Sequence, residues 1–93
     1  MASPASTQAT IPNRLGLHAR PAMAFVDLAA EYSAQVRVRR ADSDEFVDGK
    51  SIMQVMMLAA TKGTVLVIEA EGDDAETACE ALRKLVDSGF GED

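Results

Sequence analysis

TVLVIEAEGDDAETACEALRKLVDSG, residues 64–89, holds a strand, a turn and a helix in one continuous run. Val65, Leu66, Val67 and Ile68 form a β-rich core of the strand, which is predicted over Thr64–Glu71. Gly72 ends it. Asp73 is the expected helix cap, with Glu76 three residues later and a further acid at Asp74. Ala75, Ala78, Cys79, Leu82, Leu85 and Val86 then recur at helical spacing and predict one buried stripe. Arg83 and Lys84 complement the helix dipole near its end, and Gly89 stops it.

The same switching of period continues toward the N-terminus. Ser51 and Gln54 have capping-box spacing and predict a short helix reaching about Ala59. Gln35–Arg40 alternates, with Val36 and Val38 inward. Ala41–Asp44 is a polar turn and Glu45–Asp48 a return strand, which makes a hairpin closed by Gly49 and Lys50. From Ala19 the spacing is helical, with Ala22, Phe25, Val26, Ala29 and Tyr32 on one side. Pro21 sits in the first turn, where its missing N–H costs nothing. Thr7–Asn13 reads as a strand that Pro12 ends or marks as an edge. Residues Met1–Ser6 are small and polar and read as a loose tail.

The order is βαββαβα. It predicts an α+β fold: an open-faced two-layer β-sandwich, with a four-stranded antiparallel sheet carrying three helices on one face. The 93 residues are expected to make a single domain, 1–93. A domain of this size buries only about 60–65% of its unfolded surface, which leaves little room for an enclosed active site.

Composition narrows the function. The net charge is −6, aromatics are 4% and tryptophan is absent. Nucleic-acid binding needs a basic footprint and, for single strands, aromatic platforms, so both properties argue against it. The acid is concentrated at one end: residues 1–68 carry seven basic and six acidic side chains, residues 69–93 two and nine. The first three quarters of the chain can therefore still face a phosphate or an acidic partner. Cys79, the only cysteine, is expected to be a core thiol, and neither an intramolecular disulfide nor a multi-cysteine metal site can form. The opening MASPASTQATIP lacks the features of a secretory signal, and no apolar run reaches the ~20 residues of a membrane helix. Cytoplasmic location and no membrane insertion are the expectation.

The chemistry is concentrated in Gly16-Leu17-His18-Ala19-Arg20-Pro21. This run sets an imidazole at the start of a helix, where free backbone N–H groups and the dipole attract an anion. Arg20 adds a guanidinium that clamps phosphate oxygens. Gly16 allows a tight bend. An unprotonated ring nitrogen is a nucleophile near neutral pH. Spacing alone leaves a plainer reading open, in which His18 starts a helix within a regulatory binding module and Arg20 is merely solvated. The second helix has almost no polar face. Val55 and Leu58 are assigned to the core, and Met53 and Met56 to an adaptable partner surface.

GLHARPA resembles the phosphorylation-site signature of the HPr family, the histidine phosphocarriers of the phosphoenolpyruvate-dependent phosphotransferase system. GKSIMQVM, residues 49–56, resembles that family's second signature, around a regulatory serine. The likeness runs from about residue 7 to residue 88. It implies a carrier rather than a catalyst, with no cofactor and no metal. His18 would be phosphorylated on Nδ1, and Arg20 would steady the phosphoryl group. Ser51 would match the serine that a dedicated kinase modifies and a phosphorylase restores. Leu17, Ile52, Met53 and Met56 would form a docking patch. Enzyme I would be the donor and EIIA-type domains the acceptors, with the carrier a monomer. The stretch LVDSGFGED, 85–93, resembles carriers of the nitrogen-related branch, whereas GKSIMQVM resembles the sugar branch.

Overall fold

The computed structural model describes residues 3–92. Strands β1 (Ser3–Thr10), β2 (Gln35–Arg40), β3 (Val47–Asp48) and β4 (Val65–Gly72) alternate with helices α1 (Ala19–Ala29), α2 (Ile52–Met56) and α3 (Ala75–Asp87). The strands form one four-stranded sheet in the order β1-β4-β2-β3, and every pairing is antiparallel. The predicted α+β architecture is the observed one.

The sheet begins earlier than the sequence suggests. Of the expected loose tail Met1–Ser6, Met1 and Ala2 lie outside the described residues, and Ser3–Ser6 belong to β1, where Ser3 pairs with Gly72 and Ser6 with Glu69. These residues carry little strand propensity of their own. They are recruited because β4, hydrogen-bonded to β2 on one side, offers a full row of backbone donors and acceptors on the other. Pro4 is accepted because β1 is an edge strand. β1 stops at Thr10, before Pro12. β3 is shorter than predicted, two residues rather than four.

Side chains then sort by face. Val36 and Val38 point into the core while Gln35 and Arg37 are exposed, as alternation requires. Leu66, Ile68 and Ala70 of β4 face the same way and meet Phe25 of α1, Leu82 and Val86 of α3, and Val55 beside them in one cluster. Each of the large members among these is at most 1% exposed. Full burial of such a side chain contributes about 1.5–3 kcal/mol. Val55, Leu58 and Cys79 are buried where the sequence reading places them. Among the described residues the opposite face carries no helix: there Arg37 pairs with Glu69 at 2.7 Å and lies 4.3 Å over the Phe46 ring. No helix among the described residues is long and apolar enough to cross a membrane.

Two helix starts differ from expectation. Ser51 does cap α2, its Oγ accepting from the Gln54 N–H at 3.3 Å. The return arm of the capping box is absent, because the Gln54 side-chain Oε1 instead accepts from the Asp48 N–H at 2.9 Å. α2 also ends at Met56, short of Ala59. For α3 the cap is Asp74 rather than Asp73, and its carboxylate makes no capping bond. It accepts from the backbone N–H groups of Ser33 (2.9 Å) and Ala34 (2.8 Å), which ties α3 to the entry of β2.

Candidate functional site

The site forms where three loops meet at one end of the sheet. Ile11 and its neighbour strand close the first contact: Ile11 N–H donates to Thr64 O at 2.9 Å and Gly63 N–H to Ile11 O at 2.8 Å. The chain then turns over Asn13–Gly16, with Gly16 N–H on Asn13 O at 3.1 Å, and Leu17 N–H docks on Ala60 O at 2.9 Å. Gly16 is required twice over. Its φ is +70°, and a Cβ there would lie 2.6 Å from the Ala60 carbonyl oxygen and 2.8 Å from Thr61 Cα. This close approach seats the loop before α1 against the loop after α2.

His18 is the N-cap residue of α1, with extended backbone and no side-chain capping bond. Its carbonyl accepts the first helical bond from Ala22 N–H at 2.9 Å. The first turn holds no acidic residue. The amides of Ala19 and Arg20 therefore stay available to an anion at the positive end of an 11-residue helix. Arg20 is exposed on that turn.

The imidazole is held from one side. Nε2 lies 3.0 Å from each carboxylate oxygen of Glu92. An ionised carboxylate can only accept, so Nε2 carries the proton and donates. No hydrogen bond among the described residues occupies Nδ1, and the side chain is 37% exposed. The Glu92 carboxyl is held below the usual range, first by the His18 hydrogen bond, then by the bond from Asn13 and the charges of His18 and Arg20, against an opposing effect of burial.

Asn13 completes the arrangement. Its Nδ2 donates to Gly16 O at 2.8 Å and to Glu92 Oε1 at 3.0 Å. Its Oδ1 is buried without a partner. The reverse orientation would set that oxygen against a carbonyl and a carboxylate, which is worse. Neither Asn13 nor Glu92 is legible as a site residue in the sequence. They lie 5 and 74 positions from His18, outside the local signature.

The other predicted residues separate into two groups. Met53 (77% exposed) and Met56 (43%) lie at the surface, and Ile52 is half-buried beside them. Leu17 does not join them: it is 5% exposed and part of the core, because the Leu17–Ala60 bond draws its backbone inward. The exposed leucine of this loop is Leu15. Met57 on the turn after α2 and Met23 on α1 extend the exposed apolar set, and sequence reading did not assign either one to it. Met23 is three positions beyond Arg20, on the next turn of the same helix.

An exposed imidazole at an uncapped helix start, beside an arginine and an apolar surface, defines a group carrier open to other proteins rather than a closed catalytic cavity. Comparison with known proteins agrees. Residues 5–88 match the family described as the PTS HPr component phosphorylation site. The chain is 53% identical over 83 residues to the phosphocarrier protein HPr of Pseudomonas aeruginosa, covering 89% of this chain and 91% of the relative. Among solved structures, HPr of Thermoanaerobacter tengcongensis superposes with a TM-score of 0.88 at 43% identity, covering 96% of this chain and 98% of that one. HPr of Bacillus anthracis gives 0.83 at 36% identity, covering 90% and 98%. The chain belongs to the HPr family and is a phosphocarrier of the phosphotransferase system, which is not a catalyst in itself.

Proposed function

We propose that this chain carries its phosphoryl group on Nδ1 of His18, taking it from phospho-enzyme I and passing it to an EIIA-type acceptor. The observation that carries the reading is the asymmetry of the ring: Nε2 is engaged by Glu92 while Nδ1 has no hydrogen bond among the described residues and stands at the uncapped start of α1. In acceptance, the donor's N–P bond breaks as the Nδ1 lone pair bonds phosphorus, and the proton on Nε2 stays where it is. The transition state is loose, so positioning and charge supply most of the help. The Ala19 and Arg20 amides and the Arg20 guanidinium meet the equatorial oxygens. Exposure of the ring suits a group that two partners must reach in turn.

Docking falls to Met23, Met53, Met56 and Met57, with Leu15 and Ile52 beside them. Flexible thioethers tolerate several partner surfaces. The exposed basic residues Arg14, Arg20 and Lys62 belong to the loop before α1, the first turn of α1 and the loop after α2, whereas Glu76 and Glu80 are exposed on α3. That distribution favours an acidic partner surface. Phosphate on Ser51, half-buried at the start of α2, would add charge beside Met53 and repel such a partner.

The test is incubation with phosphoenolpyruvate and enzyme I. Wild-type protein is expected to gain acid-labile, base-stable phosphate, and His18→Ala none. Absence of label on the wild type, or label that survives His18→Ala, defeats the reading. A panel of EIIA-type acceptors from the sugar and nitrogen branches, scored by which drains the label, assigns the pathway.

A further inference from the structure

The Glu92 side chain poses a problem. A carboxylate beside a phosphate-accepting site repels the incoming group unless it acts through something else. Here it touches the imidazole nitrogen that does not react, with both oxygens 3.0 Å from Nε2. We infer that Glu92 is a positioning residue for phosphoryl transfer, and that Asn13 is the brace that aims it; the inference rests on the reading of His18 given above.

Three observations support this. The carboxylate is held from both sides, since Asn13 Nδ2 donates to Oε1 at 3.0 Å while its second hydrogen stays on Gly16 O. Asn13 is 1% exposed, so the brace itself has little freedom. The chain also reaches this point by an unusual route. Gly89, Phe90 and Gly91 have φ of +70°, +59° and +75° in succession, which turns the segment after α3 back toward Pro12 and Asn13. Phe90 is a bulky residue in the left-handed region, a conformation that persists only when the surroundings impose it. Its packing against the core supplies that constraint.

The chemical consequence follows from charge. Transfer proceeds from the neutral form of the ring, with its proton on Nε2 and the Nδ1 lone pair free. Forming the Nδ1–P bond draws on the Nδ1 lone pair and leaves the ring cationic. Nothing else on the ring changes: the Nε2 proton is neither lost nor gained. A carboxylate accepting from Nε2–H stabilises that cation as it forms, makes the Nδ1 lone pair more available beforehand, and prevents rotation of the ring. The carboxylate releases the same stabilisation when the N–P bond breaks toward the acceptor.

The test uses the full chain with enzyme I and phosphoenolpyruvate, varying the concentration of the carrier. Glu92→Ala is expected to lower kcat about 10-fold, the low end for a partner that orients a histidine. KM should stay within about twofold, since Glu92 lies outside the docking patch. Glu92→Gln keeps a neutral acceptor for Nε2–H and should recover part of the loss. Nitrogen NMR of the unphosphorylated protein gives a second readout: the share of rings protonated on Nδ1 rises in Glu92→Ala above that of the wild type. A Glu92→Ala protein that matches the wild type in kcat, or that loses only in KM, overturns the inference while leaving His18 as carrier. A wild type that takes no label on His18 overturns both readings.

Discussion

Helices α1 and α3 begin with the same backbone problem and meet it in opposite ways. Each start leaves orphan N–H groups and a partial positive charge. α3 answers with its own acids, Asp74 at the cap and Glu76 in the first turn. Neither start has a side-chain capping bond, but α1 has no acid in its first turn and carries Arg20 where α3 has Glu76. The difference teaches that an acid-free helix start is informative when another helix in the same chain is supplied with acid. The positive end of α1 is left for an anion that arrives from outside.

The contrast can be broken most severely at the bend that presents α1. Gly16→Ala puts a Cβ against Ala60 and Thr61 in a left-handed backbone. A loss of roughly 2–4 kcal/mol in unfolding free energy is expected, together with slower phosphorylation because His18 is displaced. Urea denaturation and a phosphorylation time course check the two parts.

A subtler break gives α1 what α3 has. Ala19→Glu places a carboxylate in the first turn at an exposed position. Helix stability should rise by about 0.3–1 kcal/mol, while phosphoryl acceptance falls on the order of 10²-fold because the charge now repels the transferring group. Opposite signs in the two measurements separate a function of the helix start from a mere structural defect. Equal transfer rates would show that the open end of α1 does no chemistry.

The smallest effect sharpens the other side. Backbone hydrogen bonds from Ser33 hold the Asp74 carboxyl below its usual range, with a lesser contribution from Ala34. A depressed folded-state value means the contribution is present above the unfolded value of about 3.9 and is lost as pH falls through the folded one. Asp74→Asn should therefore melt at a lower temperature than the wild type at neutral pH. The gap should narrow in acid below about pH 4. Phosphoryl transfer should be unchanged, because Asp74 tethers β2 and lies apart from His18.

The legible part of this molecule is the part governed by near neighbours. Strand alternation in Gln35–Arg40, the apolar stripe of α3, the Ser51 cap and the His18–Arg20 signature each depend on residues within a few positions of one another. So does the stop at Gly89, whose φ of +70° the structure confirms. Boundaries were less legible. β4 extended β1 back to Ser3, and Gln54 gave its side chain to Asp48 rather than closing the capping box.

The sequence by itself determined the fold class, the side of each helix that faces the core, and the histidine at a helix start beside an arginine. Only the tertiary structure decided that Leu17 is core while Leu15 is exposed, that Asp74 serves β2, and that Glu92 reaches His18 across 74 positions. The physical reason is range. Backbone propensity and periodic burial act over a turn or a strand. A hydrogen bond between distant residues exists only after the sheet has brought their loops to one end, so no local pattern foreshadows it.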